Sequence, residues 1–119
     1  MPAKTWTEAQ ALTRSPAAPT LITEGMSLVR VSGFRVILSA ASGQTLSGAG
    51  SLDCYLWDDT NSAWIRNPDL DIDLAAAHSG VRRVVFPDQE VTVPYGRVLY
   101  AANGITVSGG TLTVEIRAN

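Results

Sequence analysis

Three aspartates open the question of chemistry in this 119-residue chain. The run "NPDLDIDL" sets Asp69, Asp71 and Asp73 at every second position. Carboxylates so spaced invite a calcium reading, but an EF-hand loop starting at Asp69 needs Gly sixth and Glu twelfth. Leu74 and Gly80 stand at those positions. On a strand the three Asp instead share one wet face, with Leu70, Ile72 and Leu74 on the buried face and Arg82 and Arg83 as cross-strand partners. His78 is the single histidine, and Cys54 alone cannot complete a zinc site with it. No G-x-S-x-G elbow accompanies His78, and "AAHSG" reads as a loop. Cys54 alternates with Leu52 and Leu56, which makes it a small core residue. "SGAGS" and "SGG" lack the Lys and the helix that follow a phosphate loop, so they read as turns. No catalytic residue, no metal ligand and no cofactor is expected.

A stronger signal for binding is "DCYLWDDTNSAWIR". Its turn residues Asp59, Thr60, Asn61 and Ser62 predict a hairpin. Pairing Asp58 with Ala63 sets Trp57 opposite Trp64 and Tyr55 opposite Arg66, on the face away from Cys54 and Leu56. Such a strip offers large aromatic area with an arginine able to stack on it. It is either an interface for a partner or sugar rings, or a surface covered by a second sheet or by the N-terminal segment.

These stretches sit within short β-prone runs punctuated by Gly, Asn, Asp and Pro. The runs lie near 27–31, 34–40, 51–58, 63–67, 70–74, 82–86, 90–93, 97–102, 104–108 and 111–117. Pro87 and Pro94 mark strand ends or edges, and "DLAAAHSG" has room for one helical turn. Many short strands with regular turn signals predict an all-β chain, an antiparallel β-sandwich of jelly-roll-like form. Residues 27–119 form that domain, and residues 1–26 an extended N-terminal arm marked by Pro16 and Pro19. Within the arm, Thr5-Trp6-Thr7-Glu8 has the form of a capping box, which allows a short helix over 6–13 packed on a surface through Trp6. Trp6, Leu12, Leu21 and Ile22 are the expected arm anchors.

Part of the chain is written twice. "RVILSAASGQTLSGAGSLDCYL" (35–56) and "RVLYAANGITVSGGTLTVEI" (97–116) align with two one-residue gaps and share nine identities, Arg35/Arg97, Val36/Val98, Gly43/Gly104 and Leu52/Leu112 among them. Each copy reads strand, glycine turn, Thr-apolar-Ser-Gly, strand. Either similar units occupy two halves of one sandwich, or Gly/Ser-rich hairpins look alike by chance.

Composition narrows the partners. The net charge of -2 gives no electrostatic case for nucleic acid or an anionic membrane. Charged residues make up 17%, below the roughly 25% usual in globular domains, as when part of a surface is hidden against a partner. Eight Arg against one Lys suits an interface, and suits equally a GC-rich genome. The single cysteine excludes an internal disulfide, and "MPAKTWTEAQ" lacks a signal peptide's apolar stretch. Synthesis in a cytosol is expected.

With "GQTLSGAGSLDCYLWDDTNSAWIRNPDLD" and "GRVLYAANGITVSGGTLTVEI" behind a Pro/Ala/Thr arm, residues 27–119 resemble in style the small virion structural proteins of tailed bacteriophages, especially head decoration or cement proteins. The likeness contains no diagnostic motif. It implies a non-enzymatic jelly-roll-like protein on a capsid surface, made in the host cytoplasm, present in many copies or as a homo-oligomer. Its partner would be the major capsid protein or another virion protein. The expected contacts are the arm anchors and a second patch of Tyr55, Trp57, Trp64 and Arg66. The alternative is a carbohydrate-binding or host-adhesion module in which Trp57 and Trp64 stack on sugars.

Overall fold

In the run "TLTVEIRA" every second residue is apolar. A computed structural model of the chain buries Leu112, Val114, Ile116 and Ala118 and turns Thr111, Thr113, Glu115 and Arg117 outward, as the pleat of a strand requires. The structure describes residues 4–11, 25–47, 50–74, 79–91, 96–107 and 111–118. Their strands are β1 (Lys4–Ala11), β2 (Met26–Ser27), β3 (Gly33–Ala40), β4 (Leu46–Ser47), β5 (Ser51–Asp58), β6 (Ala63–Arg66), β7 (Ile72–Asp73), β8 (Arg83–Val85), β9 (Gln89–Glu90), β10 (Arg97–Asn103), β11 (Thr106–Val107) and β12 (Thr111–Ala118). A 3-10 turn, Pro68–Leu70, precedes β7.

Two antiparallel sheets stack face to face. One runs β1-β12-β3-β8, with β9 also on β3, and the other runs β2-β10-β5-β6, with β7 also on β5. The chain crosses between the two sheets from β3 to β5 and back from β10 to β12, and the first strand pairs with the last, which makes a two-layer antiparallel β-sandwich. The inner faces supply one apolar core, which includes Val36, Leu38, Leu52, Cys54, Val98, Tyr100, Val114 and Ile116.

The written repeat is a structural one. In the first sheet Val36, Leu38 and Ala40 pair with Ile116, Val114 and Leu112. In the second, the aligned residues Val98, Tyr100 and Ala102 pair with Leu56, Cys54 and Leu52. Each pair in one sheet thus has its counterpart in the other. Between the sheets' ends β4 pairs with β11, and Leu46 faces Val107, its own aligned partner. A local two-fold axis therefore passes through that pair. Gly43 and Gly104, also aligned, take matching left-handed values, φ 79° and 75°, a conformation that costs a side chain about 1–2 kcal/mol.

Some expectations need correction. No helix forms over the described part of 6–13. Residues 4–11 are instead strand β1, paired with β12 from Lys4–Ala118 to Ala11–Thr111. A two-turn helix is marginal even when capped, whereas β12 offers a ladder along all eight residues. This stretch is thus an edge strand of the sandwich rather than a separate arm. The strand expected at 27–31 ends at Ser27, because Arg30 turns the chain at φ 61°. That expected at 70–74 shortens to Ile72–Asp73 behind the Pro68 turn, since proline cannot donate to a ladder. β4 falls inside the repeat's loop, where none was expected. Leu12, Leu21, Ile22, the Pro16–Pro19 stretch, Pro94 and His78 lie outside the described residues.

Gly50 offers a test of this packing. A Cβ there would run into the carbonyl oxygen of Asn103 and lie 2.7 Å from Gly104 C and 2.9 Å from Ile105 N, all backbone, whereas a Cβ on Gly43 meets nothing within 4 Å. Gly50→Ala should therefore lower the thermal midpoint clearly more than Gly43→Ala, whose cost is the left-handed backbone alone. Equal midpoints would show that the two halves do not approach at Gly50.

Candidate interaction surface

The β5–β6 hairpin has the register its turn chemistry predicts: Asp58 opposite Ala63, Trp57 opposite Trp64, Tyr55 opposite Arg66. Asp58 holds the turn. Its Oδ1 accepts the Thr60 N–H at 2.9 Å, and its Oδ2 accepts the Asn61 side-chain amide at 2.7 Å. The amide of Asn61, aided by the Thr60 and Asn61 backbone, keeps this carboxyl below its usual range. Ser62, at φ 51°, closes the reversal.

On the outer face of this sheet the two indoles meet edge to face, centroids 5.4 Å apart at 67°, over Leu99, which is 1% exposed. Trp57 Nε1 donates to Asp59 Oδ1 at 2.6 Å. Trp57 and Trp64 are only 7% and 9% exposed, so this corrects their expected role: they form a second, intramolecular apolar cluster and present little ring face to a partner. Trp6, half-buried on β1, packs against both this cluster and the main core. Tyr55 is half-buried at the cluster's margin.

Arg66 is the strip's charged end, and it is anchored. Its guanidinium lies 5.5 Å from the Tyr55 ring centroid, donates to both Asp71 oxygens at 2.7 and 2.8 Å, and reaches the Cys54 carbonyl at 3.2 Å. Asp71 Oδ1 also accepts the Cys54 N–H at 2.7 Å. Through these bonds one carboxylate joins β5, β6 and the 3-10 turn. The Arg66 hydrogen bonds outweigh desolvation and hold the Asp71 carboxyl below its usual range, while Asp71 raises the Arg66 pKa. Beside them the buried Asp53 accepts from Ser51 Oγ at 2.6 Å and from Asn103 Nδ2 at 3.2 Å. Tyr100 OH donates to the Leu70 carbonyl at 2.8 Å. Desolvation raises the Tyr100 phenol and pushes the Cys54 thiol up to about 12.

The three alternating aspartates do not share one face. The 3-10 turn breaks the alternation, leaving Asp69 and Asp73 exposed and turning Asp71 to Arg66 rather than to Arg82 or Arg83. Among the described residues no group of three or more His, Cys, Asp or Glu is placed to hold a metal ion.

A second surface was not anticipated. On the outer face of the first sheet a cavity of about 370 Å³ is lined by Phe34, Arg35, Ile37, Arg83, Val85 and Arg117, with Asp88 paired to Arg35 at 2.8 Å. Ile37 in its lining is 2% exposed, while its ladder partner Val85 is 48% exposed. Ile37 aligns with Leu99. The signal lay in the runs Val36-Ile37-Leu38 and Val98-Leu99-Tyr100, which break alternation at matching places. In the second sheet the hairpin's indoles cover that position; in the first, arginines and Val85 surround it.

The Asp71 carboxylate carries a prediction. Its native pKa is lowered, so its contribution to stability is complete above the unfolded value of about 3.9 and is lost as pH falls through the lower native value. Arg66, 38% exposed, is partly screened by water. Asp71→Asn should cost about 1–2 kcal/mol at neutral pH and flatten the acid limb of a stability–pH curve measured by urea unfolding. An unchanged limb would remove Asp71 from its linking role. Cys54, fully buried with its thiol held protonated, should resist iodoacetamide at pH 8 in the native protein and react on unfolding. Alkylation of the native protein at the rate of a free thiol would contradict that burial.

No protein-family model, curated protein or solved structure matches the chain, so its own geometry is the ground for a functional reading.

Proposed function

We propose that this chain is a non-enzymatic structural protein that docks in many copies on a larger protein assembly, most plainly a phage capsid, where it decorates or cements the shell. The observation that carries this reading is how the polar groups of the aromatic strip are employed. Asp53, Asp58, Asp59, Asp71, Arg66 and Tyr100 all hold strands or turns of the chain's own sandwich. Beyond them the surface offers shape, arginines and isolated apolar side chains: Val29, Ile65, Val81 and Val85 are exposed. Arginine and apolar contact are interface chemistry. The antiparallel β-sandwich accords with the same reading, although fold alone does not assign function.

The burial of Trp57 and Trp64 favours docking over sugar binding, because stacking needs open indole faces. Tyr55 and Arg66 remain at the surface as contact residues, and Trp6 ties the edge strand to the sandwich.

The test is fractionation of particles from the producing cells. The chain should travel with the major capsid protein through a density gradient at a fixed stoichiometry by mass spectrometry, and the purified chain should rebind to particles stripped of it. A chain found only free in the lysate, with no rebinding, would overturn the proposal. Protection of its tryptophan emission by a glycan, with no particle binding, would establish the adhesion reading in its place.

A further inference from the structure

The local symmetry of the sandwich breaks at one edge. β5 and β12 are counterparts, and each has a long strand of the other half along one side, β10 and β3 respectively. Along its other side β5 has β6 and β7. The four residues of the Asp59–Ser62 turn join β5 to β6, which obliges that pairing to form within one chain. β12 has β1 instead, paired over eight residues. Fourteen residues, 12–25, separate β1 from β2. That connection can span up to about 46–50 Å when extended, against molecular dimensions of 40 × 29 × 22 Å. Connectivity thus obliges β6 to pair with its own chain and leaves β1 free to pair with another.

From this asymmetry we infer that β1 is an exchangeable strand, which in the assembled state pairs with β12 of a second copy of this chain. The occupant is specified by the ladder itself. The register from Lys4–Ala118 to Ala11–Thr111 is the same whichever copy supplies the strand, so exchange retains its backbone bonds. The half-buried Trp6, opposite Ile116 and against both apolar clusters, anchors the strand in either case. Thr5 and Thr7 point outward and are exposed. Because intramolecular and intermolecular pairing make the same contacts, chain concentration decides between them, and an assembly that holds copies side by side raises it. Reciprocal exchange closes a symmetric dimer. The inference needs only that copies meet, and does not require the assembly to be a capsid.

Cross-strand disulfides between separately purified chains test this. Thr7 and Glu115 are ladder partners on the outer face, and the buried Cys54 does not compete. Chains carrying Thr7→Cys are mixed with chains carrying Glu115→Cys at about millimolar concentration, incubated and oxidised. Non-reducing gels and mass spectrometry should show a mixed disulfide dimer, roughly tenfold or more above that from Thr7→Cys mixed with the off-register Thr111→Cys. The exchange is overturned if the mixture stays monomeric, whether or not the Thr7→Cys/Glu115→Cys double variant closes within one chain. Products joining only like chains, or equal yields in and off register, overturn it too. A chain that fails here yet binds particles would leave the docking proposal standing.

Discussion

Pairing between the two related halves, Val36 with Ile116 in one sheet and Val98 with Leu56 in the other, is the constraint on which the molecule is built. Each half places its first long strand in one sheet and its second in the opposite sheet. Neither half can bury its own apolar face, because the long strand beside each of its two long strands comes from the other half. Burying a Val, Leu or Ile side chain contributes about 1.5–3 kcal/mol relative to leaving it exposed, and here that gain arrives only when both halves interlock. The Leu46–Val107 pair lies where the two crossing loops meet, and the close backbone approach at Gly50 follows from the same meeting.

Around this frame the two outer faces differ. Position 99 of the second half lies under the indoles of the β5–β6 hairpin, whereas position 37 of the first lies among arginine stems and Val85. The hairpin face is tied together by Asp71, whose contacts with Arg66 and the Cys54 amide join three segments that the apolar core alone would not align. A carboxylate is costly to bury unless its oxygens are occupied, and both Asp71 oxygens have partners. The same economy operates at Asp53. Polar groups on this face therefore specify the geometry of the chain's own sandwich.

How far each feature could be read from the chain depends on how local its cause is. The β5–β6 register was legible because a four-residue turn and period-two alternation act within a few residues. The repeat was legible because matched glycines and matched alternation survive in the text. The core role of Cys54 followed from its place between Leu52 and Leu56. By contrast, Thr5-Trp6-Thr7-Glu8 carries a valid helix signal that loses to β12, a strand from the far end of the chain. Asp71 reads as one of three solvated carboxylates until the Pro68 turn reorients it toward Arg66.

The sequence by itself determined an all-β sandwich, most of its strands, the hairpin pairing and the twofold repetition, since side-chain alternation and turn chemistry are properties of neighbouring residues. Tertiary structure alone decided that β1 is an edge strand, that Trp57 and Trp64 are covered, that Asp71 links three segments and that Ile37 lines a cavity. Each of those outcomes depends on which distant segment lies alongside. That is set by how two interlocked halves fill a shared core, and no local pattern records it.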